Sequence, residues 1–150
     1  MKKRGEKKGG QKRVVNPRFA KSEGYRKVLE NIAAEGKCPF CKDNFKYHKH
    51  PILNEDGKWI LTRCSWPYEN IEEHFLVISK THKEHFLDLS QSDLKSVRAM
   101  VNWGIKEFGL KGGALALRFG DTEHTGATVC HLHFHLIVPQ TSKTVNFPIG

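Results

Sequence analysis

The 150-residue chain has no long hydrophobic run, and this absence limits the kind of protein it is. No apolar stretch approaches the roughly 20 residues that span a bilayer, so we expect no membrane segment. The charged start MKKRGEKKGGQKR is followed by no apolar stretch and lacks the pattern of a secretory signal. Both absences favour a cytoplasmic protein, in which the four cysteines stay reduced and are free or metal-bound.

The sequence also lacks the glycine-rich loops with which many proteins hold phosphate. It contains no GxGxxG, and its loop GDTEHTGATV does not match GxxxxGK[ST]. Acidic residues are few, with 16 against 25 lysines and arginines, and the net charge is +9. Residues 1–13 contribute +6 of this charge, because seven basic side chains there are opposed by Glu6 alone.

Residues 1–18 are predicted to form a basic, disordered tail, and residues 19–150 a single domain. A segment of Lys, Gly and Gln buries too little apolar surface to fold alone. Weak, salt-sensitive contact of residues 1–13 with nucleic acid is the alternative interpretation. We rank it second, because no aromatic residues interleave with the basic ones.

Two principal helices are predicted from hydrophobic periodicity and caps. SEGYRKVLENIAAEGK is the first, with Ser22 as N-cap and Gly36 just past its end. LSQSDLKSVRAMVNWGIKEFGLKGG is the second, with Ser90 and Asp93 as a variant capping box and the glycine pair at Gly112 as its end.

About five strands are predicted to form a mainly antiparallel sheet, which gives an α+β fold class. Strand-like patterns occur in FKYHKHPILNEDGKWILTRCSWPYEN, in HFLVIS, in ALALRF and in CHLHFHLIVPQ. The strands follow one another through short turns, and this order favours an antiparallel sheet over a parallel, doubly wound one.

Three histidines, His131, His133 and His135, alternate with apolar residues in CHLHFHLIVPQ. Alternate residues of a strand share one face, so we expect a wet histidine face opposite an apolar core face. Such neighbours lie about 7 Å apart, too far for three successive ligands to one metal ion on a straight strand. One end histidine therefore suits a metal, and the others suit a pocket in which imidazole acts as nucleophile or proton carrier.

Residues 131–137 resemble the H-φ-H-φ-H-φ-φ signature of the histidine triad (HIT) superfamily of nucleotide hydrolases and transferases. HFLVISKTHKEHFLDLS is similar to the strand and loop that precede the triad in that family, and TGATV is similar to its approach to the triad. The resemblance covers roughly residues 38–140 and implies a HIT-like sheet.

The resemblance implies a catalytic role for three histidines. It makes His133 the nucleophile that attacks the α-phosphorus of a nucleotide and forms a nucleotidyl-histidine intermediate. It places His135 on a nonbridging phosphate oxygen or on the leaving group. It also makes His74 the upstream histidine that completes the hydrogen-bond network of the site.

The resemblance also implies which residues contact the substrate. Thr128 is the small residue beside the phosphate, Gly126 and Thr125 flank it as anion contacts, and Tyr68 belongs to a Pro-Tyr turn found in one branch of the superfamily. Ala127 replaces the glutamine of many relatives, so the leaving-group contact and the hydrolase subtype stay open.

The ribose contact differs from that of many relatives as well. TRCSWPYENIEEH offers no Asp upstream of the first site histidine to hold the ribose hydroxyls. Nucleoside recognition is left to Ser65, Trp66 or Asn70.

The CPFC motif, Cys38 to Cys41, supplies two thiolates at zinc-knuckle spacing. A redox pair and buried thiols are the other interpretations, and the redox pair ranks low because the motif follows a helix. Zinc needs two more ligands, which are local in one arrangement, His48 and His50.

The resemblance to zinc-bearing HIT proteins implies a different, long-range ligand set. It consists of Cys38, Cys41, His82 and His131, and we prefer it because it leaves the second triad histidine free. Zinc in such a closed site is structural and does not activate water.

Two classes of function follow from these patterns. The first is an enzyme, with hydrolysis favoured, that acts at the α-phosphate of a nucleoside phosphate ester, an anhydride such as a dinucleoside polyphosphate, or a phosphoramidate. The second is a zinc-stabilised nucleotide- or nucleic-acid-binding module without turnover that uses the basic tail. An enzyme on adenylated nucleic-acid ends would use both triad and tail.

Two further expectations concern the rest of the assembly. The resemblance implies a homodimer whose antiparallel sheets continue across the interface. The C-terminal KTVNFPIG either covers the pocket or contacts a partner subunit.

Overall fold

Five strands form one antiparallel sheet in the computed structural model, which describes residues 12–150. The strands are β1 (Ile52–Glu55), β2 (Trp59–Arg63), β3 (Ile71–Ser79), β4 (Ala114–Leu117) and β5 (His133–Pro139), in the order β1-β2-β3-β5-β4. The α-helices are α1 (Glu23–Glu35), α2 (Gln91–Phe108) and the four-residue α3 (Thr122–Thr125). The predicted α+β class with an antiparallel sheet and two principal helices is confirmed. Among the described residues, no helix is both long and apolar enough to cross a membrane.

Helix α1 begins and ends where the sequence predicts. The hydroxyl of Ser22 accepts a hydrogen bond from the backbone N–H of Tyr25 at 3.2 Å and caps the first turn. Gly36 takes the left-handed conformation with φ of 73° and closes the helix. The side chain of Tyr25 is thereby fixed on the first turn of α1, from which it reaches the site described below.

Helix α2 begins at the predicted capping box, in which Ser90 and Asp93 each accept a bond from the other's backbone N–H. Asp93 also accepts a 3.0 Å bond from the indole N–H of Trp59, which attaches the helix start to β2. The predicted end at Gly112 is wrong. Gly109 already adopts a left-handed conformation with φ of 60° and ends the helix three residues earlier.

Three other segments differ from the prediction. Residues 45–47, predicted as the start of a strand-like segment, belong to a 3-10 helix over Lys42–Tyr47, and the loop GDTEHTGAT contains α3. Strand β5 begins only at His133, so the first triad histidine lies outside the strand. The reason is that Leu132 N bonds to the carbonyl of Lys83, in the loop after β3, at 2.7 Å. The chain therefore turns away from the regular ladder just before the second triad histidine.

The two faces of the sheet are covered by different elements. Helix α2 packs on one face, where Val97 and Met100 meet a cluster of buried side chains from the strands: Trp59, Leu61, Phe75, Val77, Phe134 and Leu136. The opposite face carries Ile60, Leu76 and Ile78, against which Phe40 and Phe45 pack. The core therefore lies mainly between α2 and the sheet, and the other face is left for the site.

The histidine face is more covered than the expected wet face, although His133 is half-buried. His131 is 2% exposed and His135 is 6% exposed. In the β3–β5 register, His135 pairs with Leu76 and His133 pairs with Ile78, so both lie on the face covered by Phe40. The rings are polar groups within a covered face, which the alternating pattern alone does not reveal.

Residues 12–18 of the predicted tail pack on the domain. Val15 is 1% exposed and forms an isolated antiparallel bridge with Val129. Lys12 pairs with Glu84 at 2.8 Å, and Arg13 pairs with Glu123 at 2.9 Å. The first packed residues thus precede the boundary at residue 18. Residues 1–11, which carry most of the predicted tail, lie outside the described part of the chain.

Candidate functional site

Three of the predicted site histidines lie together on one face of the sheet. His74 comes from β3, and His133 and His135 come from β5. The Nε2 atom of His74 lies 2.9 Å from the Nδ1 atom of His135. The ring centroids of His133 and His135 are 4.9 Å apart. The structure thus brings the proposed nucleophile and its two neighbours into one row.

The hydrogen bond of His133 fixes its tautomer. Its Nδ1 lies 2.7 Å from the backbone carbonyl oxygen of His131. A carbonyl oxygen only accepts, so Nδ1 carries the proton and Nε2 keeps an unshared electron pair. Phe40 packs edge-on against the ring at 5.0 Å between centroids and limits its rotation.

The three histidines are neutral at physiological pH. Burial lowers the pKa of His133 and that of His74 to about 4, and it lowers the pKa of His135 well below the ordinary value. The charges of Arg118 and Lys21 act in the same direction on the pKa of His74. Neutral imidazole is the form that acts as a nucleophile.

Two ring nitrogens of this row have no hydrogen-bond partner among the described residues. They are Nδ1 of His74 and Nε2 of His135, and both are buried. A buried polar atom without a partner costs stability, on the order of 1–3 kcal/mol, unless a ligand or water satisfies it. Both residues line the cavity described next.

A cavity of about 560 Å³ opens over this histidine row. Its size falls within the range of pockets that hold small organic ligands. The histidines lie on its wall, which also includes the aromatic side chains of Phe19, Tyr25, Phe40, Tyr47, Trp66 and Tyr68.

Three of the four residues predicted to contact the substrate line this cavity, and the fourth does not. Tyr68, Gly126 and Thr128 line it, and the Tyr68 ring stacks on His74 at 4.9 Å between centroids. Thr125 is not among the lining residues. Its hydroxyl accepts a bond from the backbone N–H of Ala127 at 3.2 Å and so closes the turn after α3.

The three candidates for nucleoside recognition, Ser65, Trp66 and Asn70, all line the cavity. The hydroxyl of Ser65 bonds to a ring nitrogen of His48, and Trp66 stacks on Tyr25 at 5.0 Å. Asn70 donates to the carbonyl of Thr144 at 3.1 Å. All three are thus at the cavity and already hold protein contacts.

Several cavity residues were missed by sequence reasoning. Tyr25 bonds to the hydroxyl of Thr128 at 2.7 Å, and burial raises the pKa of Tyr25 to about 12, so its phenol stays protonated. Arg118 and Lys21 bring two positive charges to the wall. A signal for Arg118 exists in the sequence, since it is a charged residue at the end of the otherwise apolar ALALRF.

Residues 144–150, here called the C-terminal strap, run over the cavity. The guanidinium of Arg118 donates from Nε to the carbonyl of Pro148 at 3.0 Å. Phe147 packs edge-on against His135 at 5.1 Å between ring centroids. Gly150 lies so close to Gly126 that a Cβ on Gly126 would stand 2.8 Å from its carbonyl oxygen. Of the two predicted roles of KTVNFPIG, covering the pocket is the one seen in this chain.

The long-range set of predicted metal ligands also comes together. One donor atom from each of Cys38, Cys41, His82 and His131 lies within 4.8 Å of every other. The two histidine Nδ1 atoms are 3.3 Å apart, and the Cys38 Sγ lies 3.4 Å from Nδ1 of His131. The Cys41 Sγ lies 3.4 Å from Nδ1 of His82 and 3.7 Å from Nδ1 of His131.

These separations fit the edges of a zinc tetrahedron. Bonds of about 2.0–2.1 Å to nitrogen and about 2.3 Å to sulfur place two nitrogens about 3.3 Å apart and a nitrogen and a sulfur about 3.6 Å apart. Both imidazoles also bond through their outer nitrogen. His131 Nε2 bonds to the carbonyl of Ser79 at 2.6 Å, and His82 Nε2 bonds to Glu84 at 3.1 Å. Such outer bonds orient histidines that ligate metals.

The alternative local ligand set is not assembled. The ring nitrogens of His48 bond to the hydroxyls of Thr62 at 2.6 Å and Ser65 at 3.2 Å. His50 packs against His48 at 6.1 Å between ring centroids. Neither histidine joins the cluster that contains the two cysteines of CPFC.

Comparisons with known proteins agree with this fold. The HIT domain family model matches residues 60–142, which is more than half of the chain. A HIT family hydrolase from Clostridium thermocellum is 25% identical with a TM-score of 0.56, covering 75% of this chain and 97% of that chain. A histidine triad nucleotide-binding protein from Candida albicans is 24% identical with a TM-score of 0.60, covering 76% and 82%.

A third similar structure is a Zn-bound histidine triad family protein from Mycobacterium smegmatis, at 22% identity and a TM-score of 0.56, covering 76% of this chain and 83% of that chain. No curated protein matches the chain. The matched span contains β3 and β5 with all three site histidines. The chain therefore belongs to the HIT family.

Proposed function

We propose that the protein is a nucleotide hydrolase or nucleotidyl transferase, with hydrolysis favoured, that works through a covalent nucleotide adduct on His133. The observation that carries the proposal is the bond from His133 Nδ1 to the carbonyl of His131. It leaves Nε2 unprotonated on a ring that lines a cavity large enough for a nucleotide. The similar structure from Clostridium thermocellum is described as a hydrolase.

The first chemical step forms the adduct. The electron pair of His133 Nε2 attacks the α-phosphorus, a P–N bond forms, and the leaving group departs with both electrons of its bond to phosphorus. The ring gains a positive charge, which its Nδ1–H shares with the carbonyl of His131. A phosphate leaving group departs as an anion, and an amine leaving group takes a proton from solvent.

The second step regenerates the enzyme. Water attacks the phosphorus, the P–N bond breaks, its electrons return to Nε2, and the proton of the water passes to solvent. If a different nucleophile takes the place of water, the intermediate transfers its nucleotidyl group to that nucleophile, and the enzyme acts as a transferase. Both steps place negative charge on the nonbridging phosphate oxygens, which need a donor.

We assign that donor to His135. If His74 Nε2–H donates to Nδ1 of His135, then Nε2 of His135 carries a proton and faces no protein acceptor. The opposite assignment places the unpartnered N–H on Nδ1 of His74 instead. We take the first assignment because it puts the free donor on the ring next to His133, where the phosphate would be attacked. His74 is in this proposal a positioning residue that fixes the tautomer of its neighbour.

We infer that Zn²⁺ binds Cys38, Cys41, His82 and His131. The donor separations and the outer bonds of both imidazoles support this, and so does the Zn-bound relative from Mycobacterium smegmatis. With four protein ligands the ion would have no open coordination position, so it would supply stability and would not activate water. Phe40 lies within CPFC and packs on His133, so this site also fixes the ring of the nucleophile.

A homodimer through β4 remains our proposal for the assembly. Strand β4 pairs with β5 alone among the described strands and exposes its other edge, and edge strands of this kind readily pair with another chain. Leu115 on β4 and Leu94 on α2 are exposed apolar residues beside that edge. Light scattering that gives the mass of one chain at micromolar concentration would contradict the proposal. The cytoplasmic location stays a prediction.

The binding module without turnover is the second candidate. Lys12 and Arg13 belong to the segment predicted to contact nucleic acid, yet Lys12 pairs with Glu84 and Arg13 pairs with Glu123. Within the described residues, these contacts reduce the charge available to nucleic acid.

The test of the enzyme proposal is turnover of a panel of nucleoside polyphosphates, phosphate esters and phosphoramidates by wild type and His133→Ala. We expect turnover by the wild type and its loss in the variant, with an unchanged circular dichroism spectrum. His124→Ala is the matched control, because His124 is exposed and does not line the cavity. Wild-type rates in His133→Ala would contradict the mechanism.

A further inference from the structure

Two positive side chains lie on the cavity wall without an acidic partner among the described residues. Arg118 and Lys21 line the cavity, and no carboxylate lies within ion-pair distance of either. Glu69 is the one carboxylate among the described lining residues, and it pairs with neither. Arg118 is half-buried, whereas Lys21 is exposed. A half-buried guanidinium that the protein does not neutralise costs free energy unless a ligand anion compensates it.

Tyr68 holds the two cations beside each other. The guanidinium Nη1 of Arg118 donates to the hydroxyl of Tyr68 at 3.1 Å, and Nζ of Lys21 lies 2.9 Å above the centre of the same ring. The same ring stacks on His74 at 4.9 Å between centroids. The positive pair therefore lies next to the catalytic histidine row.

The guanidinium already presents its binding edge. Nε and Nη2 of Arg118 both donate to one carbonyl oxygen, that of Pro148 in the C-terminal strap. This is the edge with which arginine binds two phosphate oxygens at once. A neutral carbonyl satisfies the N–H groups and leaves the positive charge uncompensated, so an anionic oxygen is the better partner.

Burial and mutual repulsion agree with a site prepared for an anion. Burial lowers the pKa of Arg118 to about 10, and burial together with the charge of Arg118 lowers the pKa of Lys21 to about 8. Both groups remain protonated at neutral pH, although the protein disfavours their charge. A bound anion removes this cost, whereas a neutral ligand does not.

We propose that Arg118 and Lys21 form a subsite for a phosphate group beyond the α-phosphate, and that they direct the enzyme toward substrates with an anionic leaving group. The proposal rests on the nucleotide chemistry proposed above. It favours nucleoside polyphosphates and dinucleoside polyphosphates over phosphoramidates with a neutral amine leaving group. The incoming phosphate oxygens replace the Pro148 carbonyl on the guanidinium.

Binding of uncleavable ligands tests the subsite without turnover. Calorimetry at fixed ionic strength compares α,β-methylene nucleoside triphosphates with the matching nucleoside monophosphates for all four common bases. We expect the triphosphate analogue of the preferred base to bind the wild type about tenfold or more tightly than the monophosphate. Arg118→Met and Lys21→Met should each reduce this ratio severalfold, and Arg118→Lys should retain part of it.

Arg98→Met and Lys95→Met are the matched controls. They remove the same charges from exposed positions of α2, on the opposite face of the sheet, and should leave the ratio unchanged. The proposal is overturned if the wild type binds the triphosphate analogue and the monophosphate with similar affinity. It is also overturned if Arg118→Met weakens the binding of both ligands equally. The second result would mean that Arg118 only anchors the strap.

Turnover separates this proposal from the one on which it rests. Arg118→Met should lower kcat/KM for a dinucleoside tetraphosphate about tenfold or more relative to that for a nucleoside phosphoramidate. Equal effects on both substrates overturn the subsite and leave the enzyme proposal standing. If the wild type binds the two ligands with different affinities but turns over no nucleotide, the enzyme proposal is overturned and the subsite proposal stands.

Discussion

The Nε2 atom of His74 on β3 lies 2.9 Å from the Nδ1 atom of His135 on β5. The two residues are not direct partners in the ladder, since His74 pairs with Ile137 and His135 pairs with Leu76. They are diagonal neighbours on one face, so the antiparallel register itself sets their contact. The pairing of two central strands thereby brings the two imidazoles within hydrogen-bond distance.

Replacement of His74 by phenylalanine tests this positioning role. The variant keeps a ring to stack on Tyr68 and removes the donor to His135. We expect kcat to fall about 10- to 100-fold while KM changes little, because the tautomer of His135 is no longer fixed. His74→Gln retains an N–H donor and should recover part of the loss in steady-state assays. Equal activity of the phenylalanine variant and the wild type would exclude the role.

The same residue makes the fold sensitive to acid. Burial lowers the pKa of His74 from 6.5 to about 4, so between these values the unfolded chain binds a proton that the folded chain excludes. The stabilisation is fully present above pH 6.5 and is lost as the pH falls toward 4. Between pH 7.5 and 4.5, the unfolding free energy of His74→Phe should fall roughly 2–3 kcal/mol less than that of the wild type.

Denaturant titrations at the two pH values measure this difference. His124→Ala, which removes an exposed histidine, should follow the wild type. Parallel pH dependence in His74→Phe and the wild type would show that His74 is not held neutral by the fold.

Removal of one thiolate should remove the metal. Cys38→Ser is expected to lower the zinc content from about one ion per chain to near zero and the Tm by roughly 10 °C, because binding energy at a closed site is folding energy. Elemental analysis and thermal unfolding measure the two effects on the same sample. Cys130→Ser is the control, since Cys130 is half-buried and outside the cluster. Full zinc content in Cys38→Ser would assign the metal to other ligands.

Local sequence signals account for the helices and for most of the strands. Ser22, Ser90 and Asp93 form the caps that their residue types predict, because such caps depend only on neighbours in the chain. Gly109 was missed as the end of α2 because Gly112 and its neighbour offered the same signal three residues later.

The site was predictable where its pattern is periodic. His133 and His135 follow from alternation, and His74 follows from the resemblance, since nothing in its own neighbourhood marks it. The burial of the row was not predictable, because Phe40 and the C-terminal strap reach it from distant parts of the chain. Arg118 and Lys21 lie almost a hundred residues apart, and only the tertiary fold brings them to one tyrosine ring.

The covalent adduct on His133 is the central claim. Wild type mixed with the nucleotide panel, quenched in the millisecond-to-second range and digested, should yield the peptide around His133 heavier by one nucleotidyl group. The adduct should be labile to acid, as a P–N bond is, and absent from His133→Ala. A nucleotidyl group on another residue, or rapid turnover with no adduct at any time, would contradict the account.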